Sequence, residues 1–181
     1  MQMLPPSPHC FAAIDFETAD YERDSACSVA IVKVIGDEIV SRWARLIRPP
    51  RKQFVFSYIH GIGWKDVENQ PNFAELWPEF AKQLDDVQFL VAHNAGFDKA
   101  VLNTCCVKAG VKPPSLPFHC TVQAARNTWG LYPTKLPNVC QFLNITLQHH
   151  QAESDAEACA RIYIAAQRVE NPVRSRRKQL S

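Results

Sequence analysis

Long apolar runs are missing from this chain of 181 residues, and none approaches the ~20 residues that cross a bilayer as a helix. No membrane partner is therefore expected. The opening M-Q-M-L-P-P-S-P-H lacks a positive region followed by an apolar one, so a secretory leader is not expected and a cytoplasmic protein is the default. Neither G-x-G-x-x-G nor a P-loop pattern occurs, which argues against a generic nucleotide-binding α/β domain. There are no internal repeats and no low-complexity segments. The cysteines number seven, an odd count with no C-x-x-C, which fits neither a disulfide framework nor a zinc ribbon. Cys27, Cys105, Cys106, Cys140 and Cys159 lie in apolar or small-residue surroundings and read as buried, reduced thiols.

What is present suits a soluble fold: 46% apolar and 21% charged residues, enough chain for one core, and no sign of a second domain. The domain is placed at residues 10–168, with an N-terminal extension over 1–9 and a basic tail over 169–181. The net charge of +2 is unevenly spread. Arg168, Arg174, Arg176, Arg177 and Lys178 face only Glu170 at the C-terminal end, and Arg42, Arg45, Arg48, Arg51 and Lys52 form a second stretch without acids. Either could contact phosphates, and either could equally be a solvated face.

Residues 10–17, 27–35 and 38–48 read as strands of a meander, with Gly36-Asp37 as the tight turn between the last two. Residues 49–71, carrying Pro49, Pro50, Gly61, Gly63 and Pro71, read as a long ordered loop. A helix is predicted from Asn72 to about Leu84, with Pro78 bending it or starting a fresh turn. A short strand over Val87 to Ala92 then leads to a helix over 96–109 that Gly110 closes. A strand near Phe118 to Thr121, short helices over 121–129 and 137–144, and a long helix over 152–168 complete the pattern. Three meander strands followed by alternating helix and strand imply a mixed α/β sheet with helices packed on it.

Four acids resist a purely structural account. Asp15 and Glu17 alternate onto one face of a strand whose neighbours Ala12, Ala13, Ile14 and Phe16 mark it as central. Two like charges there repel and are costly to desolvate, and a cation between them would turn that liability into a binding site. The alternative is a strand that ends at Ile14 and leaves both acids in solvent. Asp98 falls in the first turn of a helix, where the helix dipole favours an acid whatever its role. Asp155 shares a helix face with Cys159, Ile162 and Ala166, so its carboxylate sits on an apolar stripe and needs a partner. His150 precedes that helix, where the chain can fold it back toward the same place. A lone histidine is also commonly a surface or hydrogen-bonded residue.

Together D-F-E-T at 15–18, H-N-A-G-F-D at 93–98 and H-Q-A-E-S-D at 150–155 resemble the three motifs of the DEDDh 3′–5′ exonucleases. This DnaQ-like group includes the proofreading ε subunit of bacterial DNA polymerase III. Gln151 stands where the tyrosine subtype would place its tyrosine, so the histidine subtype is the one resembled. I-H-G-I at 59–62, N-Q-P-N-F-A-E from Asn69 and C-T-V-Q-A-A-R from Cys120 also fall in family order. Ser28 departs from the glutamate that many relatives carry in the second strand.

The resemblance implies a ribonuclease H-like fold, a mixed five-stranded sheet of a three-strand meander plus parallel strands, flanked by helices. It implies two divalent cations, Mg²⁺ with Mn²⁺ able to substitute, held by Asp15, Glu17, Asp98 and Asp155, with His150 taking a proton from the attacking water. Phe16, Thr18, Ile59, His60, Asn94 and Phe97 become the expected substrate contacts. The expected partner is a nucleic acid with a free 3′ end, DNA favoured, trimmed to nucleoside 5′-monophosphates in replication proofreading or repair. An RNA-directed exonuclease of the same superfamily is the alternative. A silent binding module is disfavoured because all five acid and base positions are filled. No polymerase or repair partner is evident from the sequence, since relatives that join a replicase carry an extension where this chain shows a short basic tail.

Overall fold

The computed structural model describes residues 9–170. Its centre is one five-stranded sheet, built from β1 (Cys10–Thr18), β2 (Ala26–Ile35), β3 (Glu38–Leu46), β4 (Phe89–Ala92) and β5 (Phe118–Cys120) in the order β3-β2-β1-β4-β5. β1, β2 and β3 form the antiparallel meander, while β4 runs parallel to β1 and β5 parallel to β4. The mixed sheet expected from the sequence is the one observed, and β1 is its middle strand. Gly36 has φ +62°, the left-handed geometry of the β2–β3 turn that a side chain would oppose.

Among the described residues seven helices accompany the sheet: α1 (Ser57–His60), α2 (Trp64–Val67), α3 (Phe73–Gln83), α4 (Gly96–Lys108), α5 (Thr121–Trp129), α6 (Leu136–Leu143) and α7 (Ala152–Glu170). The period of two along β1 divides the core. Ala12, Ile14 and Phe16 join Phe73, Leu76 and Phe80 of α3 and Val101, Leu102 and Cys105 of α4 on one face. Phe11 and Ala13 join Val139 of α6 and Ala156, Cys159 and Ile162 of α7 on the other. By that alternation Asp15 and Glu17 continue the second face, so two carboxylates stand where the core toward α7 would otherwise extend.

Two local readings need correction. Residues 49–71 are not loop throughout, because α1 and α2 each form one turn there; Gly61 caps α1 at φ +77°. α3 runs through Pro78 as a single helix, started by a reciprocal cap in which Asn72 accepts from the Glu75 N–H and Glu75 accepts from the Asn72 N–H. The missing Pro78 N–H costs one internal bond, and burial of Phe73, Leu76 and Phe80 holds the helix across it. The arginines of the 42–52 stretch stand beside carboxylates: Arg42 pairs with Glu157, Arg45 with Glu79, Arg48 with Glu75, and Arg51 with Asp20 and Asp24. Of the basic tail, Arg168 meets Asp37 at 3.4 Å, and the other tail cations lie outside the described residues. Among the described residues no helix is long and apolar enough to cross a membrane. The buried, unpaired state expected of Cys27, Cys105, Cys106, Cys140 and Cys159 is observed.

Candidate active site

β1 does not stop at Ile14. It stays paired with β2 through Asp15 opposite Ala30 and Glu17 opposite Ser28, which removes the reading of two acids loose at a strand tip. Ser28 lies 8% exposed beside Glu17 in that register and adds no carboxylate to the cluster. Asp155 comes to the same place from the first turn of α7 and is 4% exposed. Carboxylate oxygens of Asp15, Glu17 and Asp155 lie within 4.8 Å of one another. Asp98, 2% exposed in the first turn of α4, accepts the Phe16 N–H at 3.0 Å and so ties its helix to the central strand beside the cluster.

The electrostatics are those of crowded anions. Burial first, then the charges of Asp98, Asp155 and Glu17, push the Asp15 carboxyl well above its ordinary range. Glu17 is pushed to about 8 by burial and by Asp155 and Asp98. Burial also raises Asp98, although the Phe16 N–H and Arg23 act in the opposite sense. Asp155 is raised by burial against the hydrogen bond from the His150 backbone and the proximity of His149. Its Oδ2 accepts the His150 N–H at 3.0 Å and lies 3.1 Å from His149 Nδ1, while its Oδ1 is buried without a partner.

These groups sit in an open cavity of ≈ 810 Å³ whose lining includes Asp15, Phe16, Glu17, Asn94, Phe97 and Asp98. Its other wall is formed by His149, His150 and Asp155 together with residues of α5 and the 132–137 segment. Asn94 and His150 adopt φ values of +61° and +68°, so two of the expected site residues hold uncommon backbone conformations at the same cavity. Phe97 packs against the core on one side and carries the Arg23 guanidinium 4.5 Å over its ring. Thr18, Ile59 and His60 are not part of the cavity lining. They gather at the end of β1, where His60 Nε2 lies 3.1 Å from the Thr18 carbonyl, Thr18 is buried and Ile59 is 37% exposed. His60 is close enough to His150 for their charges to interact.

One residue escaped the sequence reading. The imidazoles of His149 and His150 stack with centroids 3.7 Å apart, and His149 is the one whose ring reaches Asp155. The doubled histidine was the available signal, but family spacing pointed only to His150. Burial and the neighbouring His149 lower the His150 pKa, with Asp155 acting in the opposite sense.

A central strand bearing two acids, met by one acid from each of two helices and by a histidine loop, is the arrangement of a hydrolytic nuclease. The family model described as exonuclease, of RNase T type, matches residues 12–163, and this chain belongs to that family. Curated relatives include the PolC-type DNA polymerase III of Thermotoga maritima, 32% identical over 158 residues that make up 85% of this chain and 12% of that one. The chain thus spans about an eighth of that relative's length. The DNA polymerase III subunit epsilon of Treponema pallidum is 29% identical over 84% of this chain and 74% of its own. Among solved structures, the nuclease domain of 3′hExo, a DEDDh family member bound to rAMP, superposes with a TM-score of 0.76 at 16% identity over 93% of this chain and 95% of that one. Exonuclease X in complex with 5′ overhanging duplex DNA gives 0.72 at 24% identity over 87% and 90%. Both share the fold described above.

Proposed function

We propose that this protein is a metal-dependent 3′–5′ exonuclease that removes nucleoside 5′-monophosphates from nucleic acid with a free 3′ end, DNA favoured. The observation that carries the reading is the convergence of the Asp15, Glu17 and Asp155 carboxylates within 4.8 Å on the floor of an open cavity. Such a cluster is unfavourable without a cation. The donors are all hard oxygens, which suit Mg²⁺ or Mn²⁺, and the unpartnered Asp155 Oδ1 is an acceptor waiting for a ligand. Asp15, Glu17 and Asp155 would hold the ions, with Asp98 serving a second one. Bound there, two divalent cations would neutralise phosphodiester charge and acidify an attacking water.

The side chains supply the rest. With its pKa below the ordinary value, His150 is neutral near pH 7 and can accept the proton of the attacking water on a ring nitrogen. Its backbone N–H, bonded to Asp155 Oδ2, keeps that base in register with the acids. Phe97 offers apolar surface beside the acids for a terminal base, and Asn94 adds a polar contact. The Phe16 ring, expected to touch substrate, is instead 3% exposed and packed against Phe80 on the opposite face of β1 from the acids, because side chains alternate along the strand. Thr18, Ile59 and His60, at the end of β1, would meet the far side of the terminal nucleotide. The DNA polymerase III relatives suggest proofreading or repair as the setting.

The test is digestion of 5′-labelled single-stranded DNA and RNA of one sequence with Mg²⁺, Mn²⁺ or EDTA. A ladder shortening from the 3′ end with metal, and none with EDTA, is the expected result, and the faster ladder names the preferred sugar. A folded protein that cleaves neither substrate would overturn the reading.

A further inference from the structure

The described residues include eight arginines, and six of them are paired with carboxylates: Arg42, Arg45, Arg48, Arg51, Arg161 and Arg168. Arg23 and Arg126 have no ion pair among the described residues; Arg126 lines the acid-floored cavity, and Arg23 lies against Phe97, one of the residues lining it. Arg23 lies over the Phe97 ring on one side, and Arg126 lines the opposite wall with Tyr132 and Lys135. Lys135 is exposed and likewise has no acidic partner among the described residues. A protein surface that pairs its other described arginines with local acids has left cations beside a cavity whose floor is anionic. That pattern complements a chain whose reacting phosphate meets the floor and whose next phosphates leave past the rim.

The wall that carries Tyr132 is held in place. Thr134 is 6% exposed; its carbonyl lies 2.9 Å from His93 Nε2, and its hydroxyl accepts from Arg126 Nε at 3.1 Å. His93 also reaches Thr121 Oγ1 at 2.8 Å, so the end of β4, the start of α5 and this segment form one hydrogen-bonded unit. Two residues before that anchor, Tyr132 is 88% exposed, an aromatic ring presented to solvent from a fixed backbone. Exposed rings on rigid supports are the platforms on which unpaired bases stack, a contact that tolerates any sequence.

We propose that Arg23, Arg126, Lys135 and Tyr132 form a clamp for the single-stranded segment just upstream of the scissile bond. The three cations hold phosphates, and Tyr132 stacks on a base. This rests on the exonuclease reading and adds the substrate class to it. A base can cover Tyr132 only when it is not stacked within a duplex, so the clamp selects frayed or single-stranded 3′ ends over blunt ones.

The test uses the full chain with Mg²⁺ and two substrates, a ~12-nucleotide single strand as DNA or RNA and the p-nitrophenyl ester of thymidine 5′-monophosphate, which has no upstream strand. Tyr132→Ala is expected to lower kcat/KM on the oligonucleotide about tenfold more than on the ester, and to erode the preference for a single-stranded over a blunt 3′ end. Lys135→Ala, at an exposed position that leaves the Thr134 anchor intact, is expected to flatten the dependence of log KM on log salt by roughly 0.7, one phosphate contact on a single strand. Variants that degrade the oligonucleotide as the wild type does, or that lose both substrates equally, would overturn the clamp and leave the exonuclease reading standing. Wild-type protein that cleaves neither substrate would overturn both.

Discussion

Asp155 shows how one side chain can join three roles. One oxygen fixes the histidine loop through the His150 N–H and His149 Nδ1, the other is buried without a partner, and the carboxylate belongs to the acid cluster. Asp155→Asn or Asp15→Asn keeps the shape and removes the charge. Either is expected to cost about 10³-fold or more in nuclease activity while circular dichroism stays unchanged, because several kcal/mol of transition-state charge stabilisation depend on the site. Nuclease activity retained in either variant would refute the site. His150→Ala is expected to slow hydrolysis by about 10²–10⁴-fold with cation affinity, read by calorimetry, largely intact. His149→Ala removes only the stacked neighbour and the contact to Asp155, and a loss of about 10–100-fold is expected, the range for groups that orient a ligand. The five acid and base positions were singled out in the sequence because three motifs in order resemble those of a known family, with strand alternation and helix spacing adding that Asp15, Glu17 and Asp155 fall on apolar faces. His149 was not, because which of two adjacent histidines turns toward the acids depends on the left-handed backbone at His150, and composition does not reveal φ.

At the scale of elements, the site depends on β1 being the central strand, and aromatic packing holds it in place. Phe80 of α3, fully buried, meets Phe16 at 6.4 Å between ring centroids and Trp43 of β3 at 5.9 Å. Phe16 is the residue between the two strand acids, and its N–H orients Asp98. Phe80→Ala is therefore expected to destabilise the protein by about 3–5 kcal/mol in urea unfolding and to lower activity at temperatures where the fold persists. A loss under about 1 kcal/mol would mean that the aromatic cluster is not what supports the strand. All five strands and the five longer helices, α3 to α7, were readable because periodicity and turn residues agreed. α1 and α2 were not: a single turn of helix has no periodicity to display, and prolines and glycines around it speak for loop. Pro78 misled for the opposite reason, since a local penalty of one hydrogen bond is outweighed by three large apolar residues buried on the same helix.

For the whole molecule, the acid cluster should make stability depend jointly on pH and cations. Glu17 has an ordinary pKa of 4.5 and is raised to about 8 in the fold, and Asp15 is also held well above its ordinary range by burial and its three acidic neighbours. A carboxyl raised on folding stabilises the native state while protonated, so that contribution is complete below the ordinary pKa and is lost as pH rises through the folded one. His60, His93 and His150 shift the other way, their pKa values lowered chiefly by burial, so their contribution grows as pH rises through their ordinary 6.5 and is nearly complete by pH ~7.5. The buried cysteines have ordinary values of 9.0 and enter only above that pH. Between pH ~7.5 and ~8.5 the carboxylates are left as the dominant titrating set. Metal-free protein in EDTA is expected to lose Tm across that interval, and Mg²⁺ should raise Tm more at pH ~8.5 than at pH ~6, because cations bind the ionised cluster and relieve its repulsion. Asp15→Asn, with one anion fewer, should flatten both trends. A metal-free Tm that rises steadily over the interval, or an Mg²⁺ increment that does not depend on pH, would show that the four acids do not act as one cation-binding unit.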